Sequence, residues 1–369
     1  MIYADNAATT KLSDNAAKTI IELLDEYANP SQPYSFSRKA KQVLSDARTT
    51  IAKCINAEPN EIYFTSGGSE GNNWVIKNAL WEFATTAKVI TSEIEHHSVL
   101  RACDAIKRLG CSVEYLVPDK NGLIDADVLT RKMDSSVKLV SVMMVNNEIG
   151  TIQPVKELCA IAHKHGALFH TDAVQAIGHI KIDVKELGID FLSASAHKFN
   201  GPKGIGFLYI KNGIDKYPLI NGGSQEMGYR AGTENIPYIA GMAVALEDNI
   251  RELEDNQRKV KLLKERLVSK LKGLEFVING DGHTIENILS LSFLHQSGEA
   301  MLHKLDLMGV IVSTGSACDS KETQISHVLK AIKISEELAE GTIRVSLSSD
   351  NSIEEIDRIA EKIKICCQI

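Results

Sequence analysis

No stretch of about 18 apolar residues occurs in this 369-residue chain, so no membrane span is expected. Basic charge is not in excess either. The 41 Lys and Arg against 48 Asp and Glu give a formal net charge of −7, which leaves no electrostatic footprint for direct nucleic-acid binding. The start, Met1-Ile2-Tyr3-Ala4-Asp5, lacks a basic n-region and an apolar signal core, and a cytoplasmic location is the expectation. The seven cysteines are odd in number and scattered, which excludes a secretory disulfide framework. Four of them, Cys54, Cys103, Cys111 and Cys159, lie in apolar or helical context and read as core thiols. Cys366-Cys367 has no second Cys or His pair to complete a metal site, and no metal is expected. Internal repeats and low-complexity tracts are missing. So are G-x-G-x-x-G and Walker A loops, which argues against a dinucleotide or NTPase fold.

What is present is an alternation. The chain is long enough for two domains, and its 44% apolar and 24% charged content is that of a globular protein. From about residue 60, short apolar runs alternate with helical patterns: 62–65, 89–91, 113–117, 139–145, 168–171, 191–195 and 206–210. These predict an α/β fold with a seven-stranded, mostly parallel sheet covered on both faces. Too few residues separate the last two runs for a helical crossover, so the seventh strand should run antiparallel to the sixth. A charged amphipathic helix is predicted over 247–271, with Leu253, Val260, Leu263, Leu267 and Leu271 as its buried stripe. Strand signals near 275–278, 288–293, 310–313 and 342–346 predict a smaller α+β domain. The expected division is 15–250 for the large domain, and 1–14 with 251–369 for the small one.

Ligands of such sheets bind beyond the carboxyl ends of the strands, and polar clusters follow the runs there. Ser195-Ala196-His197-Lys198 places an amine beside hydroxyl and imidazole donors, which suits a Schiff-base lysine and a phosphate. Asp172 could keep a heteroaromatic ring nitrogen protonated, and Gln175 would face the same side if Asp172 opens a helix. Ser66-Gly67-Gly68-Ser69 at a helix start suits a phosphate. His96 could stack on a planar ring. Each feature alone has a plain alternative: a solvated lysine, a capping aspartate, an N-cap loop, a lone histidine. With Asn146-Asn147-Glu148 after the 139–145 run, five such clusters after separate runs are hard to attribute to chance. Cys318, in Gly315-Ser316-Ala317-Cys318-Asp319, lies among small loop-forming residues and reads as an accessible thiol. Arg344 sits among apolar neighbours, as a carboxylate-clamping arginine or as an edge-strand arginine in an ion pair.

Taken in order, several motifs resemble the NifS/IscS-like cysteine desulfurases, pyridoxal-phosphate enzymes of the class V aminotransferase group with the type I transferase fold. They are Tyr3-Ala4-Asp5-Asn6-Ala7-Ala8-Thr9-Thr10, Asn29-Pro30-Ser31, Phe64-Thr65-Ser66-Gly67, Val145-Asn146-Asn147-Glu148-Ile149-Gly150 and His170-Thr171-Asp172-Ala173-Val174-Gln175. His197-Lys198, Arg230-Ala231-Gly232-Thr233-Glu234-Asn235, Ser313-Thr314-Gly315-Ser316-Ala317-Cys318 and Arg344 complete the series. The resemblance covers nearly the whole chain. It implies pyridoxal 5'-phosphate on Lys198, with Asp172 at the ring nitrogen, His96 stacked on the ring, and Asn147 and Gln175 at the ring oxygen. Gly68, Ser69, Ser195 and His197 would hold the phosphate, joined by Thr233 from the other subunit of a homodimer. Arg344 and Asn147 would bind the carboxylate of L-cysteine. Cys318 would take the sulfur as a persulfide, for an iron–sulfur scaffold or a tRNA-thiolation enzyme, and its context is that of the first subgroup of the family. Selenocysteine lyase or another class V enzyme is the alternative. The chain departs from the family pattern at Gly68-Ser69, where Ala-Thr is common, at Ala196, at Met227 and in a short C terminus.

Overall fold

The structure, a computed structural model, describes residues 1–83, 87–280, 282–315 and 325–367. The chain opens with β1 (Ile2–Tyr3), α1 (Asp14–Leu23) and α2 (Arg38–Cys54). Strands and helices then alternate: β2 (Ile62–Thr65), α3 (Gly68–Phe83), β3 (Lys88–Ser92), α4 (His97–Arg108), β4 (Ser112–Leu116) and α5 (Ala126–Lys132). They continue with β5 (Val137–Ser141), α6 (Val155–Lys164), β6 (Leu168–Asp172), α7 (Val184–Leu187), β7 (Phe191–Ser195) and β8 (Gly206–Ile210). Among the described residues these strands form one seven-stranded sheet in the order β2-β8-β7-β6-β5-β3-β4. The β4-β3-β5-β6-β7 part is parallel, and β8 runs antiparallel to both β7 and β2, as the short 195–206 connection requires. Strands β6 to β8 are buried almost throughout because helices cover both sheet faces.

The predicted helix over 247–271 is two helices. Helix α8 (Ile236–Arg251) precedes α9 (Leu253–Lys270), with Glu252 between them at φ −99° and ψ 7°. They bury different faces in different places. Helix α8 packs between α1 and α2 with eight buried residues spread around it, so it lacks the one-sided stripe that marks α9. Of the predicted stripe, Val260, Leu263, Leu267 and Leu271 are buried and Leu253 is half-buried. The predicted 139–145 strand also ends early, at Ser141. Beyond it the backbone stays tied to β6, with Val142 N–H donating to the His170 carbonyl and Met144 N–H to that of Asp172.

The remaining elements are β9 (Phe276–Asn279), β10 (Ile288–Phe293), α10 (Gly298–Leu307), β11 (Val310–Ile311), α11 (His327–Ala331), α12 (Glu336–Glu340), β12 (Thr342–Ser346) and α13 (Ile353–Cys367). Strands β12-β10-β9 make an antiparallel sheet. A separate apolar core joins it to α9, α10 and α13 and includes Ile2 and Ala4. The first residues therefore belong to this core through β1, which pairs in parallel with β11. Residues 5–10 then cross to the carboxyl edge of the large sheet, where Thr10 N–H donates to the His197 carbonyl.

Candidate active site

The site begins where β2 turns into α3. Gly67 takes φ +144°, and a Cβ there would lie 3.2 Å from Ser195 Oγ, so the loop passes close to the end of β7 only because it carries glycine. A 16-residue helix follows, and its N-terminal amides and positive dipole end favour an anion. Ser69, Ser195 and His197 border the same space. Burial, reinforced by the charges of Lys198 and Lys203, lowers the His197 pKa to about 4. Its ring is thus neutral at pH 7, with Nδ1 3.2 Å from Thr9 Oγ1.

Asp172 ends β6 and is buried. Its Oδ2 accepts a 2.6 Å hydrogen bond from Asn72 Nδ2, and its Oδ1 accepts from the Val174 amide at 3.0 Å. No helix opens here. Residues after Asp172 form turns, and Gln175 reaches the cavity through them, donating from Nε2 to the Ala7 carbonyl at 2.9 Å. His96 caps α4, its Nδ1 accepting from the Ser98 amide at 3.1 Å. Burial lowers the His96 pKa. Asp172 opposes that shift while Lys198 and His97 add to it, a pattern expected where these groups share one site. Lys198 lies in a single 3-10 turn after β7, and its Nζ donates to the carbonyls of Ala7 and Ala8.

Above this floor, Arg344 of β12 is buried rather than on the surface. One arm donates to the Asn147 carbonyl at 2.8 Å and the other to Asp5 Oδ1 at 2.8 Å, while Nε is buried without a partner. Glu148 accepts from Ser326 Oγ at 2.5 Å, beside Gly315. His327 Nε2 donates to the Glu95 carbonyl at 3.0 Å, and its ring lies 4.7 Å from that of His97.

Gly68, Ser69, His96, Asn147, Asp172, Gln175, Ser195, His197, Lys198 and Arg344 all border one cavity of about 370 Å³. Thr233 does not. It is exposed, in the 231–235 segment away from the cavity. Cys318 lies outside the described residues, although Thr314, Gly315 and Ser326 border the same cavity. A larger cleft of about 820 Å³, beside α9 and residues 282–287, is bordered by none of the predicted site residues. Among the described residues, no group of three or more His, Cys, Asp or Glu side chains gathers as a metal site. The expected core thiols Cys103, Cys111 and Cys159 are buried, whereas Cys54 is only half-buried.

Sequence reasoning passed over several participants. Asn72 sits one turn into α3 and reads as ordinary helical polarity. Asp5, Thr9 and the Ala7 and Ala8 carbonyls belong to a motif that was visible without an assigned chemistry. The set of groups fits a planar phosphorylated heteroaromatic aldehyde. It offers amides and hydroxyls for a dianion, a buried carboxylate for a ring nitrogen, an imidazole for a ring face and an amine for a carbonyl carbon.

Comparison with known proteins identifies relatives of the whole chain. Residues 2–359 match the family described as aminotransferase class-V. A cysteine desulfurase IscS of Dictyoglomus turgidum is 43% identical over 98% of this chain and 95% of that protein. A solved structure described as a NifS-like protein superposes with a TM-score of 0.93, at 36% identity, covering 99% of this chain and 98% of its own. Another, described as SspA in complex with cysteine, gives 0.86 at 34% identity, over 95% of this chain and all of its own.

Proposed function

The chain belongs to the class-V aminotransferase family as a cysteine desulfurase of the IscS/NifS kind, and from that premise we propose how its own residues divide the work. The observation that carries the proposal is that Lys198, Asp172 and His96 border one cavity at the strand ends. Pyridoxal 5'-phosphate, when bound, supplies the electron sink that acidifies the substrate α-carbon and labilises its β C–S bond. Gly68, Ser69, Ser195 and His197 hold its phosphate, Asp172 its ring nitrogen, His96 its face and Lys198 its carbonyl carbon, with Asn147 and Gln175 at its ring oxygen. Gln175 keeps one amide hydrogen on Ala7 and has a second to offer.

Arg344 and the Asn147 side chain bind the carboxylate of L-cysteine. Lys198 Nζ moves the α-proton. Cys318 then attacks the substrate sulfur as a thiolate. The S–S bond forms, the C–S bond breaks, and the β-carbon keeps the electron pair and takes a proton to give alanine. The other cysteines support this assignment. Burial raises the pKa of every described thiol, to about 12 at Cys54, Cys103 and Cys159 and about 11 at Cys367, so none of these is a ready nucleophile.

The unit is a homodimer in this proposal. Ile21, Leu24, Tyr27, Phe36 and Tyr238 are exposed on elements that pack against one another, and the Tyr27 and Phe36 rings meet at 5.2 Å. In this proposal Thr233, exposed and away from its own chain's cavity, reaches the phosphate of the second copy. The two largest apolar cores, one mostly within 15–250 and the other made of Ile2, Ala4 and residues from Val260 to Cys366, support a division at 15–250 and at 1–14 with 251–369, although Ala7, Ile285 and Ile288 pack into the former. The persulfide goes to an iron–sulfur scaffold or a tRNA-thiolation enzyme in the cytoplasm. Among the described residues no helix is long and apolar enough to cross a membrane.

The test is alanine formation from L-cysteine by the purified protein and by Cys318→Ala. The variant should bind cofactor with the parent's absorbance and spectral response to cysteine, yet form little alanine. Parental alanine formation by the variant would remove Cys318 from the reaction.

A further inference from the structure

Four side chains connect the floor of the cavity to its wall. Asn72 is 1% exposed and turns one amide nitrogen towards two acceptors, Asp172 Oδ2 at 2.6 Å and Ser98 Oγ at 2.8 Å. The orientation of the amide is fixed, because the carboxylate needs a donor and Oδ1 of Asn72 is left buried without a partner. Ser98 Oγ in turn lies 2.8 Å from His96 Nδ1. That nitrogen already accepts from the Ser98 amide, so it carries a lone pair and the ring proton sits on Nε2. Ser98 therefore has one arrangement that satisfies all its neighbours: it accepts from Asn72 and donates to His96.

We propose that Asn72 and Ser98 are positioning residues that join Asp172 and His96 into one unit, fixing the carboxylate against the ring nitrogen and the imidazole in its Nε2–H form against the ring face. This rests on the cofactor assignment made above. The arrangement spends a buried, unpaired carbonyl oxygen on Asn72, which leucine or alanine would not; a residue chosen for packing alone has no reason to keep it. It also assigns each hydrogen a direction. Both amide hydrogens of Asn72 are donated, the Ser98 hydroxyl hydrogen points to His96, and the remaining imidazole hydrogen is available at Nε2. All of these contacts are made within the protein itself, so the unit is measurable in the cofactor-free protein.

The experiment uses cofactor-free full-length protein labelled with ¹⁵N-histidine, the His96 signals being assigned by loss in His96→Gln. The parent should show a protonated Nε2 and a hydrogen-bonded Nδ1. Ser98→Ala should move Nδ1 towards a less hydrogen-bonded position, and Ser98→Thr should restore it. Asn72→Ala, which touches no atom of His96, should move it too, because the Ser98 hydroxyl loses the donor that orients it. Titration of the same proteins with pyridoxal 5'-phosphate should show affinity about tenfold or more weaker for Asn72→Ala, the weight of one hydrogen bond to a charged group. An unmoved His96 signal in Asn72→Ala overturns the proposal, and should that variant not fold, an unmoved signal in Ser98→Ala does the same. Failure of the parent itself to take up pyridoxal 5'-phosphate overturns the cofactor assignment instead, and is told apart because the His96 signal would still respond to both substitutions.

Discussion

The floor and the roof of the cavity are made in different ways. The floor is the carboxyl edge of the large sheet, where each site residue sits within a few residues of a strand end: Asp172 on β6, Ser195 at the end of β7 with His197 and Lys198 just after it, Gly68 and Ser69 after β2. Its geometry follows from strand register and is held by helices packed on both faces. The roof is assembled from distant pieces: residues 5–10, the stems at 313–315 and 326–327, and Arg344 on β12. Here the contacts are ion pairs and backbone carbonyls rather than a continuous apolar layer. The floor should thus govern cofactor binding and the roof substrate binding, and each can be disturbed without the other.

The sharpest test of that separation is Arg344→Lys. The guanidinium uses its fork twice, on the Asn147 carbonyl and on Asp5, and an ammonium cannot reproduce that planar geometry. KM for L-cysteine should rise about 10- to 100-fold, the weight of one charge-assisted hydrogen bond. Affinity of the empty protein for pyridoxal 5'-phosphate should stay at the parental value. If cofactor affinity falls as far as KM rises, floor and roof are one structure and the comparison fails.

A smaller effect is expected in the floor itself. A Cβ on Gly68 would lie 2.4 Å from Val174 Cγ2. Gly68 is the first residue of α3, where alanine's advantage over glycine is less than the roughly 1 kcal/mol of a helix interior, so propensity offers little to offset a clash. Val174 is β-branched with a stiff χ1, so it cannot fold away cheaply, and overpacking of this kind costs about 1–3 kcal/mol. The expectation is a net loss of stability and weaker cofactor uptake, both largely restored by Val174→Ala. Denaturant midpoints of the two single variants and the double variant read it directly. Gly68→Ala at parental stability would mean that the loop entering α3 is looser than the register implies.

The same contrast explains what could be read from the sequence. The seven-stranded sheet and the floor residues were legible because apolar runs set the strands and polar residues follow them within a few positions. The antiparallel β8 was legible from connection length alone. Helix α8 was not, because its burial on several sides erases the 3.6-residue stripe. The Asp5–Arg344 pair spans 339 positions, and no local pattern announces it. Carbonyls such as those of Ala7 and Ala8, which receive Lys198, have no side-chain signature at all. Asn72 was hidden for a third reason, since on a helix an inward asparagine and an outward one look alike until the neighbouring strand is in place.

The most specific effect concerns a buried carboxyl beneath the floor that the chemistry does not call for. Glu95 is fully buried. Its Oε1 accepts from Ser92 Oγ at 2.5 Å and from the Met143 amide at 2.9 Å, while Oε2 has no partner. Burial raises its pKa from 4.5 to about 8, against the pull of those two hydrogen bonds and with a further push from Asp172. The folded protein therefore keeps a proton that the unfolded chain has released between about pH 4.5 and about pH 8. The stability this gives is fully present below that window and is lost as pH rises through it, by about 1.4 kcal/mol for each pH unit. Glu95→Gln keeps an acceptor for Ser92 and Met143 and removes the titration. Parent and variant should be close in stability at pH 5, and the variant should be the more stable by a few kcal/mol at pH 8, as read from urea midpoints at the two values. Because every other titrating group is common to both proteins, their difference isolates position 95. Parallel pH profiles would show that Glu95 is ionised in the folded state, and that the floor tolerates a second negative charge beside Asp172.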